Sequence, residues 1–184
     1  MAEFKLLFTS IILLASTIVS AAVYDAENLT IFSKLIPRVI VFSSQYKKIS
    51  DSMNICILHS EKDISISNKL AKNIDKSYPN GIKSHTIDVK SKLFIDVHAC
   101  KNAQLIFLLN TDKKTTETII KFSNKHHILT MSYSPKLLDF GVSTSISIRR
   151  YIKPYLNLKK LRDEGITIKS TLLNISKIYK SNTQ

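Results

Sequence analysis

The two cysteines, Cys56 and Cys100, are the residues of this chain best suited to covalent chemistry. Cys56 falls in a short apolar run with β-branched Ile55 and Ile57, and Cys100 falls just before a second apolar run expected to pair beside it. A bridge between them closes a loop of about 44 residues, which a chain-entropy treatment values at ~4 kcal/mol before strain, and an oxidising compartment would favour it. Two separate buried thiols acting as small hydrophobes account for the same positions. The wide spacing excludes a Cys-x-x-Cys redox motif.

Other reactive residue types do not assemble into a catalytic pattern. Asp96, His98 and Cys100 alternate and could share a face as metal ligands or as a Cys-His nucleophile, but no fourth ligand accompanies them. A loop carrying polar residues and one bridged cysteine is the preferred account of them. His126-His127 could bind a metal or sense pH; on a strand, however, neighbours point to opposite faces, so the pair reads as a helix end entering a strand. No serine lies in Gly-x-Ser-x-Gly, and three glycines in 184 residues leave no glycine-rich phosphate loop or dinucleotide fingerprint. No enzyme is expected, and no cofactor or metal is implied.

Arg149 and Arg150, followed by Tyr151, are the remaining candidates. They stand where two strand-like runs meet, so the arginines could grip a carboxylate or phosphate bidentately. They could instead be a charged sheet edge that resists aggregation. An exposed edge available to a partner makes Arg149, Arg150 and Tyr151 the expected partner-binding residues.

The elements that must hold these residues follow from periodicity. Residues 1–22 read as a signal peptide: Lys5 flanks an apolar core from Leu6 to Val19, and Ser20-Ala21-Ala22 offers cleavage after Ala21 or Ala22. A retained anchor is the alternative, although the core is short for a ~30 Å hydrocarbon layer. Residues 23–184 are expected to form one soluble domain, of a size that can bury a real core. Removing Glu3 and Lys5 leaves 26 basic against 13 acidic residues, so the net charge stays +13. That excess suits anionic partners, or simply reflects a Lys-rich composition. A nucleic-acid partner is not supported, because no basic stripe is interleaved with aromatics.

Asp25 to Ser44 has the one-face spacing of a helix, with Pro37 expected to kink or split it. Met53–His59 reads as a central strand, then a helix capped by Asp63 or Ser65 and stopped at Pro79-Asn80-Gly81. Lys83–Val89 alternates like an edge strand, and Leu93–Ala99 reads as a short helix or turn. Gln104–Leu109 is a second buried strand, Lys113–Asn124 a helix and His127–Tyr133 a strand. Such alternation implies an α/β fold, with a mostly parallel sheet flanked by helices. After the turn at Gly141, Val142–Arg149 and Tyr151–Asn157 suggest a C-terminal antiparallel hairpin at the sheet edge, consistent with Pro154. Thr171–Tyr179 reads as the closing helix.

The order of elements, Gly141, the Tyr-Leu-Asn-Leu around Asn157 and the closing Ser170-Thr171-Leu172-Leu173-Asn174-Ile175-Ser176-Lys177-Ile178 resemble the YfiR-like family of bacterial periplasmic proteins. The likeness covers Asn28 to Tyr179. Cys56 and Cys100 fall where many members carry a cysteine pair. The sequence departs from the family at Phe42-Ser43, where Trp-Pro is common, at His59, where glycine is usual, and at Pro154, where an aromatic is frequent.

The resemblance implies a compact periplasmic α/β domain that regulates without catalysis. Its implied partner is an inner-membrane sensor protein, a diguanylate cyclase or a kinase, with cyclic diguanylate signalling changed across the membrane. Pairing with a second copy stays open. The alternative is a periplasmic small-ligand-binding protein, using the loops after Leu58, Leu109 and Tyr133, where open α/β sheets bind ligands.

Overall fold

Along each buried strand the side chains alternate between two apolar layers, as a period of two requires. In β1 (Ser52–His59), Met53, Ile55 and Ile57 join one layer, and Cys56 and Leu58 the other; in β3 (Leu105–Leu108), Leu105 and Phe107 oppose Ile106 and Leu108. Both faces must therefore be covered, and the computed structural model, which describes residues 24–180, shows how. The expected signal peptide lies outside the described residues.

Helices α1 (Ala26–Val41) and α2 (Ile64–Ser77) cover the first layer through Leu29, Phe32, Ile36, Ile40, Leu70 and Ile74. The second is covered by α3 (Lys113–His126) through Ile119 and Ile120, with two 3-10 segments, Phe94–Cys100 and Pro135–Phe140. Local caps fix the ends. Asp25 accepts from the Glu27 N–H at 2.7 Å and Asp112 from the Thr115 N–H at 2.9 Å.

The remaining strands are β2 (Thr86–Leu93), β4 (Leu129–Ser132), β5 (Thr144–Ile148), β6 (Ile152–Leu156) and β7 (Lys177–Ile178). They form one seven-stranded sheet in the order β2-β1-β3-β4-β5-β6-β7. From β1 to β5 all neighbours run parallel, β6 returns antiparallel to β5, and β7 runs parallel to β6. The α/β class, the parallel sheet and the hairpin are as the sequence implies.

Several details differ. The first helix runs unbroken through Pro37, because Ile36, Val39 and Ile40 on either side of the ring are anchored in the core. Asp63 stands at the start of α2 but makes no capping bond; its carboxylate accepts instead from the Ser60 hydroxyl at 2.6 Å. β2 begins at Thr86, after a turn in which Lys83 and Ser84 adopt positive φ, and runs on to Leu93. His127 closes α3 in the left-handed conformation rather than opening a strand.

The C-terminus differs most. A short helix α4 (Leu158–Asp163) follows the hairpin, α5 (Ser170–Ile175) stops after six residues, and the chain then adds β7 beside β6. The hairpin is therefore not the outermost element. Pro154 is still accommodated, since β7 reaches only Tyr155 and Leu156.

Candidate functional site

Because β1 to β5 are parallel, the loops that follow them gather at one rim, beside the start of α1. There the Asn110 N–H donates to the Tyr24 hydroxyl at 3.0 Å, and the Asp25 N–H donates to the Tyr133 hydroxyl at 3.2 Å. The Tyr24 and Tyr133 rings pack at 4.9 Å. Burial, offset in part by the Asn110 bond, pushes the Tyr24 phenol up to about 12. Tyr24 thus stands against Asp63 and Asn110, at the β1/β3 junction where strand order reverses.

Beside it, a cleft of about 740 Å³ opens at the ends of β3, β4 and β5. Its walls include Asn110, Tyr133, Ile148, Arg149, Tyr155 and Lys177. Of the three strand-end loops expected to bind a ligand, those after Leu109 and Tyr133 reach this cleft.

Arg149, Arg150 and Tyr151 form the turn of the β5–β6 hairpin and are exposed, as Ile148 pairs with Ile152 across it. The Arg150 guanidinium lies 5.7 Å from the centre of the Tyr151 ring. Tyr151 and Ile152 are 65% and 50% exposed, a large apolar surface for a turn flanked by arginines. Arg149 also faces the cleft, so one residue connects the tip to it.

Cys56 and Cys100 are joined by a disulfide with their Cα atoms 5.7 Å apart, both fully buried. The bond ties β1 to the 3-10 segment leading into β3. It takes Cys100 out of the Asp96–His98 trio, and among the described residues no group of three His, Cys, Asp or Glu could hold a metal. His98 packs edge-on against Phe122 at 5.2 Å.

The two histidines after it separate. His126 lies over Phe122 at 4.5 Å, its pKa lowered first by desolvation and then by nearby Lys101 and Lys125. His127 is bound structurally: its Nδ1 is 2.9 Å from the Glu164 carbonyl, and its own carbonyl accepts from Gln45 and Lys48.

One titratable residue escaped the sequence reading. Glu164 is fully buried, accepts from the Thr130 hydroxyl at 3.3 Å, and has no partner for Oε2 among the described residues. Burial outweighs its hydroxyl contacts and pushes the carboxyl up to about 8. The only local hint in the sequence is the adjacent Gly165, whose positive φ ends the α4 turn and folds Glu164 inward.

The residues around Asn157 and the closing segment carry the family resemblance. Asn157 donates its N–H to the Ser143 carbonyl at 2.9 Å and accepts from the Lys160 N–H at 3.2 Å, so it both ends β6 and caps α4. Leu156 and Leu172 insert into the first apolar layer. A family model described as YfiR/HmsC-like matches residues 38–177, most of the chain and all of these features. The chain belongs to the YfiR/HmsC-like family. Members are periplasmic regulatory proteins, and among the described residues no helix is long and apolar enough to cross a membrane.

No curated protein matches the chain. Among solved structures it is similar to an ABC domain in complex with L-Trp from Streptococcus pneumonia, with a TM-score of 0.59, 12% identity and coverage of 79% of this chain and 59% of that one. A conserved domain protein from Vibrio cholerae gives 0.59, 12%, 83% and 60% on the same measures. The ligand-free, open structure of a substrate binding protein with adhesive properties from Clostridium difficile gives 0.53, 7%, 71% and 55%. The chain spans about three-fifths of the length of the first two. At these identities the likeness shows the fold alone.

Proposed function

We propose that this protein is a periplasmic regulator that acts by occupying a membrane-bound signalling partner, without catalysing a reaction. Membership of the YfiR/HmsC-like family over residues 38–177 carries the reading. The partner is an inner-membrane sensor, a diguanylate cyclase or a kinase, and the signal is its occupancy. The docking element is the hairpin tip, where Arg149, Arg150 and Tyr151 combine two cations with an exposed aromatic, the residue types that anchor interfaces.

Capture of the tagged exported protein from its native membranes tests this. The expected result is co-purification of a membrane sensor, lost when Arg149→Glu and Arg150→Glu are combined. Recovery of no membrane protein would overturn the regulator; recovery unaffected by the reversals would move the docking surface elsewhere.

A second reading is a small-ligand-binding protein, favoured by the 740 Å³ cleft at the strand ends, with Arg149 placed to take an anionic group. Two structural neighbours are described by a bound L-Trp or as substrate-binding. Thermal-shift screening against amino acids, nucleotides and cell-wall fragments is expected to give stabilisation that Arg149→Ala removes. Silence across the panel would end this reading.

A further inference from the structure

Two residues that carry the family resemblance, Gly141 and Asn157, converge on one side chain. Asn157 Oδ1 accepts from the Lys160 N–H at 3.2 Å, which fixes the first turn of α4. Gly141 lies beneath the same lysine: a Cβ there would stand 3.0 Å from Lys160 Cε, 3.4 Å from its Nζ and 3.5 Å from Ile120 Cγ2. The missing side chain lets the lysine stem lie close over the Gly141 backbone, so its ammonium is held low against the protein.

Lys160 lines a second cleft, of about 900 Å³, between α3, the Pro135–Phe140 segment and α4. Phe140, Leu158 and Tyr179 give it partly exposed apolar walls. Its charged residues are five cations, Lys113, Lys121, Lys159, Lys160 and Arg162, and two acids, Glu117 and Asp139. Both acids are engaged: Glu117 pairs with Lys113 at 3.8 Å, and the Tyr179 hydroxyl donates to Asp139. Lys159 pairs with Asp163 at 3.2 Å. Lys121, Lys160 and Arg162 form no ion pair among the described residues, so three cations line the cleft uncompensated. Asn124 adds the opposite need. It lines the same cleft, and its Oδ1 is buried with no partner among the described residues, an acceptor costly to leave unpaired.

We propose that this cleft binds a small N-acylated amino acid. The carboxylate takes the Lys160 ammonium, with Lys121 and Arg162 around it. The amide N–H donates to Asn124 Oδ1, and the apolar side chain rests on Phe140, Leu158 and Tyr179. A free amino group beside the carboxylate would be repelled by the same cations, which disfavours an unmodified amino acid. The volume lies within the ~300–1,000 Å³ of small-molecule sites. This cleft shares Leu138, Ile178 and Tyr179 with the strand-end cleft, but Arg149 lines only that one and Lys160 only this one. Binding here depends neither on the membrane partner nor on Arg149.

NMR titration of the exported protein with N-acetyl-leucine tests the site. The expected result is saturable binding that Lys160→Met weakens by about tenfold or more. Thermal unfolding should be unchanged, because methionine keeps an apolar stem over Gly141. Arg149→Ala is expected to leave the affinity as it is. Neutralising the ligand, as N-acetyl-leucine methylamide, should abolish binding, and removing its amide, as isocaproate, should weaken binding several-fold. No saturable shift, equal binding by Lys160→Met, or equal binding of the methylamide would each overturn the assignment. Loss of binding in Arg149→Ala would place the ligand in the strand-end cleft and overturn it as well.

Discussion

At the scale of single residues, Glu164 has the largest energetic consequence. Its carboxyl is held near 8 in the fold against an ordinary 4.5, so the folded protein binds more protons than the unfolded chain between those values. Stability from this group is fully present below about pH 4.5 and is lost as pH rises toward 8. At about 1.4 kcal/mol per unit, the range is on the order of 5 kcal/mol. Thermal unfolding is expected to show Glu164→Gln losing most of this decline between acidic and mildly alkaline buffer, with a gain in melting temperature on the alkaline side. The same pH profile in the variant would contradict the assignment. No pattern rule picks out Glu164, because its burial comes from Thr130 and Ser143, which lie more than 20 positions earlier in the chain. The paired histidines, His98 and Cys100, by contrast, were conspicuous in sequence; His98 and His126 pack on Phe122, His127 binds backbone, and Cys100 joins the disulfide.

At the scale of elements, the disulfide and two turns decide how the strands meet. The Cys56–Cys100 bond spans 44 positions and pins the segment that feeds β3 against β1. Replacing both cysteines with serine is expected to cost up to about 4 kcal/mol, read as a lower urea midpoint that matches the reduced wild type. The glycines in turns should not respond equally. An added Cβ at Gly81, where φ is +71°, would fall 2.0 Å from the His85 carbonyl oxygen, whereas at Gly141, with φ +100°, it would meet the movable end of Lys160 at 3.0 Å. Gly141→Ala is expected to cost about 1–2 kcal/mol, the conformational penalty alone. Gly81→Ala should cost clearly more, since backbone must move; chemical denaturation of the two variants compares them. The Gly141 turn was legible in sequence. β7 was not, because Lys177-Ile178 lies in the same apolar spacing as α5 and becomes a strand only where β6 offers an unpaired edge.

At the scale of the whole molecule, parallel order gathers the functional surfaces. The strand-end cleft, the Tyr24–Asn110 contact and the hairpin tip occupy one rim, while the β2 edge lies at the far side of the sheet from β7. Membrane capture should respond to the tip alone: Arg149→Glu with Arg150→Glu is expected to abolish recovery of a membrane partner while leaving thermal unfolding unchanged.

By itself the sequence determined the α/β class, the two buried strands that carry the core, the hairpin after Gly141 and the family. Each rests on local periodicity or turn chemistry, which a few neighbouring residues suffice to specify. Only the tertiary structure decided that Cys56 and Cys100 meet, and that Glu164 is buried without a full set of partners among the described residues. It also decided that the chain after the β5–β6 hairpin closes on a seventh strand, β7 beside β6. Those outcomes depend on which distant segments become neighbours, and local residue order does not encode that.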